Sequence, residues 1–369
     1  MAKILLASDF QLGRQFPGLG KSGDLVRKAL KDALEKCVSQ ALESSVDLLV
    51  VSGNLFATNL VSRNLVDFVY RQAERLGRIP FVIVPGSLDC LDDNSIYHHL
   101  PVENRPDNIC VLGADHECTI NFADSNITVY GVPDYGPDAP QSGWRVPQRA
   151  NFEGAHLLIV ANREAFEVAQ VGLLSPMMQQ VVLKDSFDVV GIGGNPDFKQ
   201  WATKVYSSGA AEVLNFDSTE SGLCLMLDVE VGHLNAEPNP IGELNWKRLV
   251  IDTTKFLYNI EIERELQKLA GDHTLLRVEI SGSGSGEGFL DLSGLERSQA
   301  NHFCHLQICD QRNLSVAGFG PNNDSGGSLI GEYTALLSDS INKAPGELKS
   351  KYIEAMSTGR ALLSGKDVI

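Results

Sequence analysis

Val46–Ser52 reads VDLLVVS, an apolar run of strand length with almost no polar face to offer water. A strand of that kind is buried on both faces, which implies the interior of a parallel sheet covered by helices. The flanking sequence supplies the helices. Residues 23–43 carry Leu25, Val26, Ala29, Leu30, Ala33, Leu34, Cys37, Val38, Ala41 and Leu42 at helical spacing. Residues 61–76 repeat the pattern through Leu65, Phe68, Val69, Ala73 and Leu76. With short apolar strands at Lys3–Ala7 and Pro80–Val84, the order is β-α-β-α-β, which predicts parallel pairing with helices on the sheet.

The middle of the chain changes character. Segments 108–112, 117–122 and 127–132 predict short strands between polar turns, and His156–Val160 and Phe187–Ile192 predict further central strands. Thr203–Ser207 and Leu223–Val231 predict strands that close a second sheet. The expected fold class is α/β with α+β character, a two-sheet sandwich flanked by helices. From about residue 246 a second unit is expected: a helix over 255–270, an alternating strand Leu275–Ser281, a Gly/Ser turn at 281–288, and helices over 327–343 and 348–364. The domain reading is 1–245, a smaller unit 246–326, and a C-terminal helical segment 327–369.

Composition narrows the function. The hydrophobic fraction of 43% supports a sizeable core, and no run of eighteen apolar residues is present, so no membrane span is expected. The N-terminus has no signal-peptide cleavage pattern, and seven scattered cysteines lack disulfide spacing. Reduced thiols in a cytoplasmic protein are the expectation. A net charge of −16 opposes a phosphate backbone, which favours a protein partner over bare DNA. His302, Cys304, His305 and Cys309 hold zinc-type ligands at a spacing that matches no common zinc motif, and a half-buried strand is expected there.

In open α/β sheets functional groups gather at the carboxyl ends of strands. Those ends read Asp9-Phe10-Gln11-Leu12-Gly13, Gly53-Asn54-Leu55-Phe56, Pro85-Gly86-Ser87-Leu88-Asp89, Ala161-Asn162 and Gly193-Gly194-Asn195-Pro196. In order and placement they resemble the five motifs of the calcineurin-like metallophosphoesterases, in the SbcD or YhaO-like nuclease branch. That branch reads D-x-H-L-G, G-D-L-F, G-N-H-D, a lone His after a strand, and G-H-x-H or G-D-x-H. Tyr206–Phe216, YSSGAAEVLNF, is similar to the family's Y-S-G-x-P-E-x-x-x-F segment, and residues 275–282 resemble a strand of its capping domain.

The resemblance implies a pair of Mn²⁺ or Mg²⁺ ions roughly 3.5–4 Å apart that polarise a phosphodiester and generate hydroxide. Carried over by position, it requires Asp at 9, where Asp9 stands. It requires His at 11, the bridging Asp at 54, Asn at 87 and a catalytic His at 88, where Gln11, Asn54, Ser87 and Leu88 stand. It requires ligands near 161 and at 194 and 196, where Ala161, Gly194 and Pro196 stand. Asp9 is the one family ligand retained. Asp89 matches in a supporting role, expected to cap a turn. Neutral Asn54 cannot offset two dications, and the general acid at 88 is gone. The expectation is therefore no catalytic residue, no bound metal and no cofactor. His98 and His99 are expected to be ordinary surface residues.

A fold without its chemistry acts through its surfaces. The resemblance implies a homodimer through segments 61–76 and 92–100, with Leu65 and Tyr70 as interface candidates. It also implies an SMC-like ATPase bound through the C-terminal part, where the amphipathic spacing of Leu329, Tyr333, Leu336 and Leu337 suits a helix laid in a groove. The leading expectation is a catalytically inactive homologue of an SbcD-type nuclease, a structural or regulatory subunit in DNA processing. The alternatives are an active phosphoesterase with a remodelled metal site, and a module that binds a ligand in the vacated cleft.

Overall fold

The computed structural model describes residues 2–101, 104–114, 117–137, 146–162, 167–168, 173–174, 179, 186–218, 221–230, 233–253, 258–282, 290–312, 329–343 and seven helical positions between 348 and 363. The first strands and helices are β1 (Ala2–Ala7), α1 (Ser22–Glu43), β2 (Leu48–Ser52), α2 (Arg63–Leu76), β3 (Phe81–Val84) and β4 (Ile109–Val111). Next come β5 (Thr119–Phe122), β6 (Ile127–Val132), β7 (Ala155–Val160), the two-residue pair β8 (Glu167–Val168) and β9 (Leu173–Leu174), then β10 (Val189–Ile192), β11 (Phe198–Ala202) and β12 (Val205–Ser208). A long hairpin, β13 (Leu223–Glu230) and β14 (His233–Pro240), leads to β15 (Asn245–Asp252).

Two six-stranded sheets result, in the orders β14-β13-β1-β2-β3-β4 and β11-β12-β10-β7-β6-β5. β1 to β4 run parallel, as do β6, β7, β10 and β12, and antiparallel strands sit toward the edges. The alternation of a strand explains the layering. Leu5, Ala7, Leu49, Val51, Phe81 and Ile83 share a core with Val26, Leu30, Leu34 and Val38 of α1. Their neighbours Ile4, Leu6, Leu48, Val50, Val82 and Val84 share a second core with Val129, Leu157, Ile159 and Val189 of the other sheet. Leu48–Val51 is an unbroken apolar run because Leu49 and Val51 face helices while Leu48 and Val50 face the other sheet.

The expected two-sheet sandwich is present. Five strands go beyond the expectation: the two-residue pair β8 and β9, and β11, β14 and β15. β14, HLNAEPNP, is an edge strand with a mostly exposed pattern; Leu234 and Ala236 alone give one face a short apolar period, packed against the inter-sheet core.

Met1–Arg248, Leu269–Arg277 and Ala300–Leu306 form one compact unit, and Leu249–Lys268, Val278–Gln299 and Gln307–Ile369 a second. The second contains α3 (Asn259–Gln267), shorter than expected, and α4 (Leu292–Gln299), which packs against it. A three-stranded sheet has the order β15-β16-β17, with β16 Gly271–Ser281 and β17 Phe303–Asp310. α5 (Leu329–Lys343) follows, and Tyr333 Oη donates to Ala355 O across 2.7 Å. Most of the expected Gly/Ser turn at 281–288 and most of 349–364 lie outside the described residues.

β17 is the half-buried strand anticipated around Cys304, His305 and Cys309, and Cys304 and His305 therefore point to opposite faces. All seven cysteines are free thiols. Among the described residues no helix is long and apolar enough to cross a membrane.

The interface candidates on α2 require a correction. Leu65 and Tyr70 are both buried in the chain's own core, and Tyr70 Oη donates to Pro101 O at 2.8 Å. The apolar arc of α2 is broad enough to take in Leu65, Val66, Phe68, Val69, Tyr70 and Ala73 together. Side chains at the rim of that arc are covered by the chain itself.

Candidate functional site: a strand-end cleft closed by hydrogen bonds

The parallel strands of both sheets end together, and their loops approach backbone to backbone. A Cβ on Gly53 would lie 2.6 Å from Ala161 O, and one on Gly193 would lie 1.7 Å from Ser52 O. These glycines exist because the ends of β2, β7 and β10 touch where any side chain would intrude. The loop after β1 is laced to the loop after β2: Asp9 N donates to Gly53 O at 3.1 Å, Gln11 N to Asn54 O at 2.9 Å, and Leu12 N to Leu55 O at 2.9 Å.

Asp9, Gln11 and Asn54 adopt positive φ angles of 54°, 46° and 55°. Left-handed backbone at three non-glycine residues is unusual, and such residues cluster where a fold must aim side chains at one point. The backbone here presents side chains from successive strand ends to a common cleft.

Asn54 Nδ2 donates to Asp9 Oδ1 at 2.7 Å, and Leu88 N donates to Asn54 Oδ1 at 2.8 Å. The orientation of the amide follows from the second bond. A backbone N–H only donates, so it must meet the amide oxygen, and the nitrogen is left facing Asp9. The other Asp9 oxygen accepts Gly194 N at 3.0 Å. Gln11 turns to Arg14, whose Nη1 donates to Gln11 Oε1 at 2.5 Å. Ala161 is buried, Ser87 and Pro196 are exposed, and Leu88 is 40% exposed. Asn195 is buried and donates to Asp197 O. His98 and His99 are both exposed.

Asp89 does more than cap a turn. Fully buried, it accepts Gly86 N at 2.8 Å, Asn54 N at 3.1 Å, Phe56 N at 3.0 Å and Tyr97 Oη at 2.7 Å. One carboxylate thus pins the β2 and β3 loops to each other and to the one-turn helix Ile96–His98.

Burial dominates the electrostatics. It pushes the Asp9 carboxyl up to about 6, against the lowering effect of hydrogen bonds from Asn54, Ser8 and Gly194. It also raises Asp89, against its four donors, and raises the Tyr97 phenol, to which Asp89 adds.

This donor set does not fit the ion pair that the resemblance implies. A cation at Asp9 has to displace an amide nitrogen whose hydrogens point at the same oxygen. Asn54 brings no charge, its oxygen is taken, and Asp89 is turned inward to backbone donors. Leu88, Ala161, Gly194 and Pro196 carry no side-chain donor atom. Among the described residues no group of three or more His, Cys, Asp or Glu side chains is arranged to hold a metal.

The structure joins Asp9, Asn54, Leu88 and Gly194 into one network and places Gln11 beside it with Arg14. Sequence reasoning missed Tyr97, Arg14 and Glu212. Glu212 lies in the quoted segment YSSGAAEVLNF; its buried carboxylate accepts Val213 N, Glu243 N and Leu244 N, and burial raises its pKa. The Gln11–Arg14 spacing of three residues was a weak local signal. Tyr97 left none.

No protein-family model and no curated protein matches the chain. Among solved structures it is similar to TT1561 of Thermus thermophilus, at 14% identity over 64% of this chain and 98% of that one, with a TM-score of 0.37. It is also similar to a Staphylococcus aureus protein titled "Putative 5'-Nucleotidase" and solved with alpha-ketoglutarate, at 11% identity over 73% of this chain and 59% of that one, with a TM-score of 0.40. At such identities and scores these likenesses assign no activity. What stands is the architecture: two six-stranded sheets flanked by helices.

Proposed function

We propose that this chain is a non-catalytic relative of the SbcD-type nucleases, a structural or regulatory subunit in DNA processing that works beside an SMC-like ATPase. The observation that carries the reading is the state of Asp9, whose two oxygens are engaged by Asn54 and Gly194. Hydrolysis of a phosphodiester needs an activated nucleophile and an acid for the leaving group. Position 88, where the resemblance calls for that acid, holds a leucine. The net charge of −16 supports a protein partner over DNA bound directly. A homodimer remains part of the proposal, built on residues other than the buried Leu65 and Tyr70.

The alternative is an active phosphoesterase with a remodelled site. It draws on the positive φ of Asp9, Gln11 and Asn54, a backbone still shaped to present ligands. A Mn²⁺-dependent assay on a phosphodiester substrate separates the two. The expected result is no turnover above that of Asp9→Ala; turnover that Asp9→Ala abolishes establishes the alternative. Co-purification with an SMC-like ATPase, with and without residues 327–369, tests the partnership, and equal recovery of both forms would remove the C-terminal segment from it.

A further inference from the structure

We infer that Asn54 stands in for a bridging cation: its amide ties together strand-end loops that a shared cation would otherwise have to hold, and it removes the charge repulsion that a carboxylate at 54 would set against Asp9. The inference rests on the metal-free reading of the cleft, and its test separates the two.

A bridging cation attracts oxygen ligands from several loops to one point. Asn54 does this with both ends of a neutral group. Its Nδ2 holds Asp9 of the β1 loop at 2.7 Å, and its Oδ1 holds Leu88 N of the β3 loop at 2.8 Å. Its own backbone N–H is fixed by Asp89 at 3.1 Å. Asn54 is 3% exposed and Asp9 4%, so neither group has water as an alternative partner. The space is also sized for this amide, because a Cβ on Gly86 would lie 2.5 Å from Asn54 Oδ1.

An aspartate at 54 keeps the shape and reverses the electrostatics. One of its oxygens still accepts Leu88 N–H. The other then faces Asp9 Oδ1 where a donor had been, and two buried carboxylates at contact cannot both be ionised unless a proton or a cation lies between them. A dication placed between the two carboxylates offsets both charges at once. Asn54→Asp therefore makes the cleft depend on a cation or a proton for stability, a dependence the native amide removes.

The test measures thermal unfolding of full-length protein in EDTA and in Mn²⁺. Native protein is expected to melt at the same temperature in both. Asn54→Asp is expected to melt several degrees lower in EDTA and to recover in Mn²⁺. Asn54→Ala is expected to be destabilised equally in both, since it removes the tie and adds no charge. The exchanged double variant Asp9→Asn/Asn54→Asp restores one amide facing one carboxylate, with Gly194 N and Leu88 N still satisfied; it is expected to regain most of the lost stability and to ignore Mn²⁺. Should Asn54→Asp be as stable as native protein in EDTA, or the exchanged pair be no better than Asn54→Asp, the inference is overturned while the metal-free reading survives. A Mn²⁺ shift of the native protein overturns the metal-free reading itself.

Discussion

Tyr97 donates its phenol proton to Asp89 Oδ2 across 2.7 Å in a fully buried pair, and the same carboxylate accepts three backbone N–H groups from the loops after β2 and β3. The loops hold their shape through this one side chain. Asp89→Asn leaves at least one buried donor facing an amide NH₂ and is expected to destabilise the protein by about 3 kcal/mol in urea unfolding. Tyr97→Phe keeps the three backbone bonds and is expected to cost about 1–2 kcal/mol. Equal effects from the two variants would show that Asp89 does not organise the loops.

Asp9 makes stability depend on pH in a definite direction. Its carboxyl is raised by burial from 3.8 to about 6, so the folded chain holds a proton there that the unfolded chain has already released. The resulting stabilisation is complete below about pH 4 and is lost as pH rises through about 6, an amount near 3 kcal/mol. Asp9→Asn removes the titration. The stability of native protein minus that of the variant is expected to fall by roughly this amount between about pH 4 and pH 7. A difference that stays flat, or rises, would contradict the assignment.

Much of this organisation was legible in the sequence. The strands of the first β-α-β-α-β unit announced themselves because burial on both faces leaves an unbroken apolar run, as in Leu48–Ser52. Edge strands did not: β14 carries Pro238 and Pro240 and keeps a polar, mostly exposed pattern that reads as loop. At the site, the strand-end positions of Asp9, Asn54 and Asp89 were readable. Their partners were not, since the bond from Tyr97 to Asp89 and the amide from Asn54 to Asp9 depend on loop geometry that no local period encodes. Leu65 and Tyr70 were misplaced because a helical period shows where an apolar arc lies but not how much of it the rest of the chain covers.

The convergence of the two sheets has its own check. Gly193→Ala sets a Cβ 1.7 Å from Ser52 O, a backbone atom that cannot retreat without moving β2. Loss of soluble protein, or destabilisation above about 4 kcal/mol, is expected. Gly18→Ala, with nothing within 4 Å of the added atom, should change stability by less than about 0.5 kcal/mol. A well-folded Gly193→Ala protein would mean that the strand ends do not meet as described.

Burial of Leu65 and Tyr70 makes them core residues. Leu65→Ala is expected to lower stability by about 2–4 kcal/mol while leaving the oligomeric mass in light scattering unchanged. A shift in mass without a loss of stability would return Leu65 to an interface.

Metal stoichiometry tests the metal-free reading of the cleft most directly. Full-length protein dialysed against Mn²⁺ and analysed by mass spectrometry for bound metal is expected to hold far less than one ion per chain, with no change on Asp9→Ala, because Asp9 is already satisfied by Asn54 and Gly194. Two ions per chain that disappear in Asp9→Ala would contradict it.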